Sequence, residues 1–244
     1  MKIRIANTER KEGCKLLCLI CEAPLSHSLS WETFFFTHDE EKICGECKEG
    51  FIKIKGTVCR KCGRLQDGEK LCTDCLKWEA NPKTRGLLEQ NRSVYLYNPF
   101  MKEVLARFKF RGDAEIVHAF APSFVRTFQA CCRHTDAAIV PMPLSEERKK
   151  ERGFNQAERL ASLLKRPVIH PLIRTENEKQ SKKSRAERLK QKNVFKTDKG
   201  SVKGMKILLI DDLYTTGATV HQAAQCLKAD GEADSVSSFT LIRS

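Results

Sequence analysis

Four Cys-x-x-Cys pairs stand near the start of this chain: Cys18/Cys21, Cys44/Cys47, Cys59/Cys62 and Cys72/Cys75. Such a turn puts two thiolates on one side of a tight loop, and two of these knuckles close a tetrahedral site around zinc. Four knuckles therefore allow two Zn2+ sites, the alternative being four redox or disulfide pairs. Pairing in chain order joins Cys18, Cys21, Cys44 and Cys47 in one, and Cys59, Cys62, Cys72 and Cys75 in the other. The spacing also allows crossed pairing. Each knuckle is expected to lead into a short strand or turn, as in Cys62-Gly63-Arg64. Four thiolates leave no coordination position for water, so the metals read as structural. Their binding supplies folding energy that so small a segment lacks. Cys14 is left over as a spare thiol. The basic stretch Lys48–Lys55 carries Phe51 and Ile52 and reads either as a nucleic-acid contact or as a solvated face.

The cysteines also divide the chain. Of twelve, only Cys131, Cys132 and Cys226 lie beyond residue 75, and these read as packing thiols. The expected organisation is a cysteine-rich module over 1–80, a polar linker over 81–90 and a domain over 91–244. That last part is long enough to bury a real core. With 41% hydrophobic and 31% charged residues, the 244-residue chain fits a soluble globular protein. No stretch reaches the ~18 apolar residues of a membrane helix. No small-residue cleavage site follows a basic start. A cytoplasmic protein is expected, its cysteines ligands rather than disulfides, with any membrane association coming through partners.

Past the linker, strand and helix patterns alternate. Ser93–Tyr97, Ala137–Val140, Lys206–Ile210 and Ser235–Leu241 read as strands. Phe100–Lys109, Ala114–Cys131, Asn155–Leu164 and Thr219–Lys228 read as helices, with Pro122 bending or dividing the second. Such alternation predicts an α/β fold, a mostly parallel sheet flanked by helices, preceded by the small zinc-ribbon module.

The sharpest motif follows the apolar run Ile207-Leu208-Leu209-Ile210. Two carboxylates, Asp211 and Asp212, precede the turn Thr215-Thr216-Gly217-Ala218-Thr219, which opens a helix. Backbone N–H groups, hydroxyls and a helix N-terminus together suit a phosphate dianion. Gly217 permits close backbone approach. The acids suit ribose hydroxyls or a magnesium-bound ligand. An ordinary capped turn needs one capping residue, and this run exceeds that. Neither a Walker loop nor G-x-G-x-x-G is present.

This run resembles the phosphoribosyl-pyrophosphate (PRPP) motif of type I phosphoribosyltransferases. The whole chain resembles the ComF family of competence-related proteins. The knuckles match that family's double zinc ribbon. Lys109-Phe110-Arg111-Gly112, Pro141-Met142-Pro143-Leu144 with Arg148, and Arg152-Gly153-Phe154-Asn155-Gln156-Ala157 match further signatures, as do Gln180, Arg188, Asn193 and Phe195.

The resemblance implies the type I phosphoribosyltransferase fold and a PRPP site with Mg2+. Thr215–Thr219 would hold the 5′-phosphate, Asp211 and Asp212 the ribose, and Lys109 and Arg111 the pyrophosphate. Arg148 and Arg152, within Glu146–Arg152, would belong to a mobile basic loop over the pyrophosphate. Asn155 also reads as a plain helix N-cap. Residues 174–203 hold eleven Lys and Arg against four acids, within a net charge of +13. Lys182, Lys183, Arg185, Arg188, Lys190 and Lys192 are the candidates there for single-stranded DNA, by salt-dependent phosphate contacts. Family resemblance implies a role in DNA uptake during natural transformation, beside a helicase or translocase. The alternative is an active phosphoribosyltransferase acting on a nucleobase or amine.

Overall fold

The computed structural model describes residues 16–25, 42–68, 70–110, 113–132, 136–175 and 193–244. Cys14, Arg111, Gln180 and the six DNA-contact candidates Lys182, Lys183, Arg185, Arg188, Lys190 and Lys192 lie outside them. Among the described residues, the cysteine-rich part contributes two helices, α1 (Gly45–Gly50) and α2 (Thr73–Ala80). There follow β1 (Asn91–Leu96), α3 (Pro99–Phe110), α4 (Val117–Cys132), β2 (Ala138–Pro141), α5 (Glu146–Arg152) and α6 (Gln156–Ser162). A two-residue ribbon, β3 (Ile173–Arg174) against β4 (Phe195–Lys196), precedes β5 (Lys206–Tyr214), α7 (Ala218–Ala229) and β6 (Ser235–Arg243).

Four of these strands form one sheet in the order β1-β6-β5-β2, every neighbouring pair parallel. The apolar run of β5 lies at its interior, as a strand buried on both faces must. Alternate residues of β5 face opposite layers. Leu208 and Ile210 join Phe108, Phe120 and Phe124 of α3 and α4. Ile207 and Leu209 join Val220, Ala223 and Leu227 of α7. Helix α4 runs unbroken through Pro122, so the proline does not divide it.

The two ribbons are built into these layers on opposite sides. Cys18, Ile20, Ile43, Cys47 and Phe51 pack into the α3/α4 layer, while Cys59, Cys62, Cys72 and Cys75 pack into the α7 layer. The connector between the ribbons covers the sheet edge. Ile54 N–H donates to the Val94 carbonyl at 3.0 Å, and Leu96 N–H to that of Ile52 at 2.9 Å. An otherwise open edge strand is thereby paired. Phe51 is buried, its ring 5.1 to 5.6 Å from those of Tyr95, Phe100 and Phe120. The stretch 48–55 is thus neither a plain solvated face nor free for nucleic acid along its length: its aromatic residue is core and its backbone is ladder. Residues 81–90 are tied down too, with Leu88 buried and the Glu89 N–H donating to Val236 O at 2.8 Å.

Candidate phosphate site and metal centres

Strand β2 stops where its partner continues. Pro141 pairs with Ile210, and the Met142 N–H donates to Ile210 O as the last rung. Beyond that point β5 keeps only β6 as neighbour, through Asp211↔Thr240 and Leu213↔Ile242. A crevice therefore opens at the carboxyl end of the sheet, where open parallel sheets bind ligands. The acidic doublet is the first pair of residues past the gap.

The crevice holds an open cavity of about 190 Å³. Its lining contains four cations, Lys109, Arg148, Arg152 and Arg174, against two carboxylates, Asp211 and Asp212, with Thr215 and Thr219 from the turn. Such a balance suits a ligand that is strongly anionic at one end and hydroxylated at the other. Lys109, in the last turn of α3, forms an ion pair with the buried Asp212 carboxylate. Asp211 is pushed up to about 7, first by burial and then by the charge of Asp212. The Asp212 N–H, Lys109 and Arg174 oppose that rise. Burial pulls the Arg152 guanidinium down, with Asp212 opposing. Its Nη1 donates to Gln156 Oε1 at 2.9 Å.

Arg148 and Arg152 reach the crevice from a helix, not from the basic loop the sequence suggests. Ser145 caps α5 by accepting from Arg148 N–H, and Gly153 ends it in the left-handed region at φ 73°. Acids in the first turn and bases in the last complement the helix dipole, so the segment is helical for local reasons. Asn155 is the N-cap of α6, its side chain accepting from Ala157 N–H at 2.9 Å. The sequence does not mark Arg174 as a site residue, yet it lines the crevice. It is the first base of the charged run and sits on β3, its guanidinium 5.5 Å from the centre of the Phe195 ring. Burial is the main cause pulling its pKa down, followed by Arg148. Its place at the end of the apolar stretch 168–173 was the available clue.

Gly217 opens α7 at φ 85°. A Cβ there would also meet the Tyr214 hydroxyl at 2.2 Å, so glycine is demanded by conformation and by space together. Asp211 and Asp212 offer hard oxygens, the donor type magnesium accepts.

The metal centres follow chain order. The sulfur atoms of Cys18, Cys21, Cys44 and Cys47, and those of Cys59, Cys62, Cys72 and Cys75, lie within 4.8 Å of one another in each set. Sulfur pairs stand at 3.6 Å for Cys21 and Cys44, 3.8 Å for Cys59 and Cys75 and 3.5 Å for Cys62 and Cys72. A zinc with Zn–S bonds of ~2.3 Å needs tetrahedral edges of about 3.8 Å, so the sets fit. Crossed pairing is excluded. Each second knuckle begins a helix instead of a strand: Cys44 and Cys72 are the N-caps of α1 and α2. Backbone N–H groups of Ile20 and Cys44 point at the Cys18 sulfur at 3.4 and 3.3 Å, an arrangement that favours thiolate. The Cys62 thiol is pushed down to about 4 by its hydrogen bond with Cys75, against burial, with Arg243 assisting. Cys131 and Cys132 are partly and fully buried at the end of α4, and Cys226 is buried in α7.

Comparison with known proteins agrees with both halves. The double zinc ribbon domain matches residues 15–76 and the phosphoribosyl transferase domain residues 150–244. The chain is 53% identical over 230 residues to the competence protein ComFC of Bacillus subtilis, covering 94% of this chain and 96% of the relative. It is 32% identical to the competence protein ComFC of Streptococcus pneumoniae, covering 93% and 99%. It is 28% identical to the DNA utilization protein YhgH of Salmonella typhi, covering 89% and 92%.

Proposed function

Because the chain belongs to the ComF family of competence proteins, we propose that its crevice binds PRPP or a related sugar phosphate with magnesium, in the service of DNA uptake. The observation that carries this reading is the pairing of four cations with an acidic doublet and a phosphate turn in one cavity. In this reading Thr215–Thr219 hold the 5′-phosphate, and Asp211 and Asp212 face the ribose diol. Lys109, Arg148, Arg152 and Arg174 neutralise the pyrophosphate. Magnesium, when bound, would add positive charge at the pyrophosphate.

The competence role draws support from the relatives named competence protein and DNA utilization protein. Single-stranded DNA is assigned to the basic run containing Lys182, Lys183, Arg185, Arg188, Lys190 and Lys192, outside the described residues. A helicase or translocase of the same process is the proposed protein partner. Among the described residues no helix is long and apolar enough to cross a membrane.

Calorimetry with PRPP and magnesium tests the site. Binding is expected for the wild type and loss for the Asp211→Ala/Asp212→Ala variant, whereas equal heats in both would remove the site. For DNA, affinity is expected to fall by orders of magnitude on raising salt, since ~6 phosphate contacts release as many counterions. A second reading, an active phosphoribosyltransferase, is favoured by the retention of both carboxylates beside the cations. Pyrophosphate release across a panel of bases and amines separates enzyme from binder.

A further inference from the structure

The second metal ribbon touches the phosphate turn from behind. Trp78, on α2 three residues past the ligand Cys75, donates its indole N–H to the Thr216 carbonyl at 2.9 Å. Its ring stacks on His221 of α7, with centroids 4.1 Å apart and planes 11° apart. His221 Nδ1 in turn lies 2.9 Å from the Gly217 carbonyl oxygen. The buried Arg243, at the end of β6, donates Nη1 to the carbonyls of Tyr214 at 3.2 Å and Thr215 at 2.8 Å. The same guanidinium is held by the ribbon. Nε donates to Cys62 O at 3.2 Å and Nη2 to the Cys62 sulfur at 3.3 Å.

Successive carbonyls of the turn are thus engaged by donors that belong to the ribbon or rest on it. No cis peptide is present among the described residues, and a planar trans peptide points its C=O and N–H in opposite directions. Holding the Thr215 and Thr216 carbonyls on the ribbon side therefore turns the Thr216 and Gly217 N–H groups to the other side, away from the ribbon. Among the described residues of the cysteine-rich part the aromatic side chains are Phe51, which is buried, and Trp78, which is only partly buried.

We infer that the second ribbon is a clamp that preorganises the phosphate turn, with Trp78 and Arg243 as positioning residues for the 5′-phosphate. Its use in binding rests on the sugar-phosphate reading above; the clamp itself does not. The ribbon is then part of the binding machinery without touching ligand. A phosphate that meets amides already aimed at it spends less of its interaction on ordering them.

The test uses the full chain with both metals. Trp78→Phe keeps a stacking ring and removes the donor. Three quantities are read: zinc content by mass spectrometry, amide hydrogen exchange at Thr216 and Gly217, and calorimetric affinity for ribose 5-phosphate and for magnesium pyrophosphate. The clamp predicts two zincs per chain in both proteins and faster exchange at Thr216 and Gly217 in the variant. It also predicts about fivefold weaker ribose 5-phosphate binding, the worth of one neutral hydrogen bond, with pyrophosphate binding unchanged. Unchanged amide exchange overturns the clamp. Equal loss for both ligands overturns it as well, because a general loosening of the crevice would then explain the data. Wild-type protein that binds neither ligand removes the sugar-phosphate reading, and exchange alone then decides the clamp. Leu76→Ala, on the exposed part of the same helix, is the control and is expected to change none of the three.

Discussion

The first ribbon is fastened to the sheet largely by apolar contact, whereas the second is fastened largely by hydrogen bonds. Ile20, Ile43 and Phe51 bring the first ribbon into the α3/α4 layer, and the Arg107 guanidinium donates to the Ile20 carbonyl beside them. The second ribbon meets β1 and β6 through buried polar groups. Asn91, fully buried, donates Nδ2 to Cys62 O at 3.1 Å and accepts from Ser238 Oγ at 2.9 Å, while Arg243 holds Cys62 from the other strand. Apolar burial is non-directional and adds stability without fixing a peptide plane. Buried hydrogen bonds fix geometry, because leaving any of them unmade is costly. The same four-thiolate chemistry is therefore expected to serve stability on one face and site geometry on the other.

Removing each metal centre in turn should expose this difference most visibly. Cys59→Ser/Cys62→Ser is expected to lower bound zinc from two to one and to abolish sugar-phosphate binding. Cys18→Ser/Cys21→Ser should lower zinc equally but retain that binding. Equal loss of affinity in both would erase the distinction.

Gly217→Ala forces a left-handed residue to carry a Cβ against the Tyr214 hydroxyl. Both faults lie in the turn, so affinity for ribose 5-phosphate should fall by about tenfold or more, a strain cost of ~1–3 kcal/mol. Zinc content should stay at two.

Phe51→Ala probes the apolar attachment. It should cost about 3–5 kcal/mol of stability in urea unfolding, as large-to-small changes in packed cores do. The ligand affinity of the folded fraction should be unchanged.

A further effect concerns pH. Asp211 holds its proton in the folded protein up to about 7, whereas an unfolded aspartate releases it near 3.8. The folded state therefore binds the extra proton between those values. This group's contribution to stability falls as pH rises from about 4 to about 7. Asp211→Asn should lack that decline in thermal unfolding. A ribose diol needs the carboxylate, so ribose 5-phosphate affinity should rise a few-fold toward pH 8 in wild type. The Asp211→Asn protein should show only the titration of the ligand's own phosphate.

Much of this architecture is written in local pattern. The knuckle spacing announces two four-cysteine sites, and the sets found are those of chain order. The run Ile207–Ile210 reads as a buried parallel strand because both its faces are apolar, and it is one. The turn after it reads as a phosphate cradle because glycine and hydroxyls cluster there. Other features escape local reading. Glu146–Arg152 looks like a charged loop by composition, and its helicity depends on the Ser145 cap and the Gly153 stop. Phe51 looks like part of a basic stretch until β1 and α4 close over it. Arg174 lies some forty residues from the acids it faces across the crevice.

What the sequence determined by itself was the inventory: metal ligands at fixed short spacing, a central apolar strand, an acidic doublet and a glycine-bearing turn. Each of these is a local regularity, set by geometry over a few residues. Only the tertiary structure decided which pieces meet. Trp78 reaches Thr216 across 138 positions, and Arg243 reaches Cys62 across 181. Contacts of that span have no period for a sequence to display, because they depend on how the whole sheet packs the two ribbons against its opposite faces.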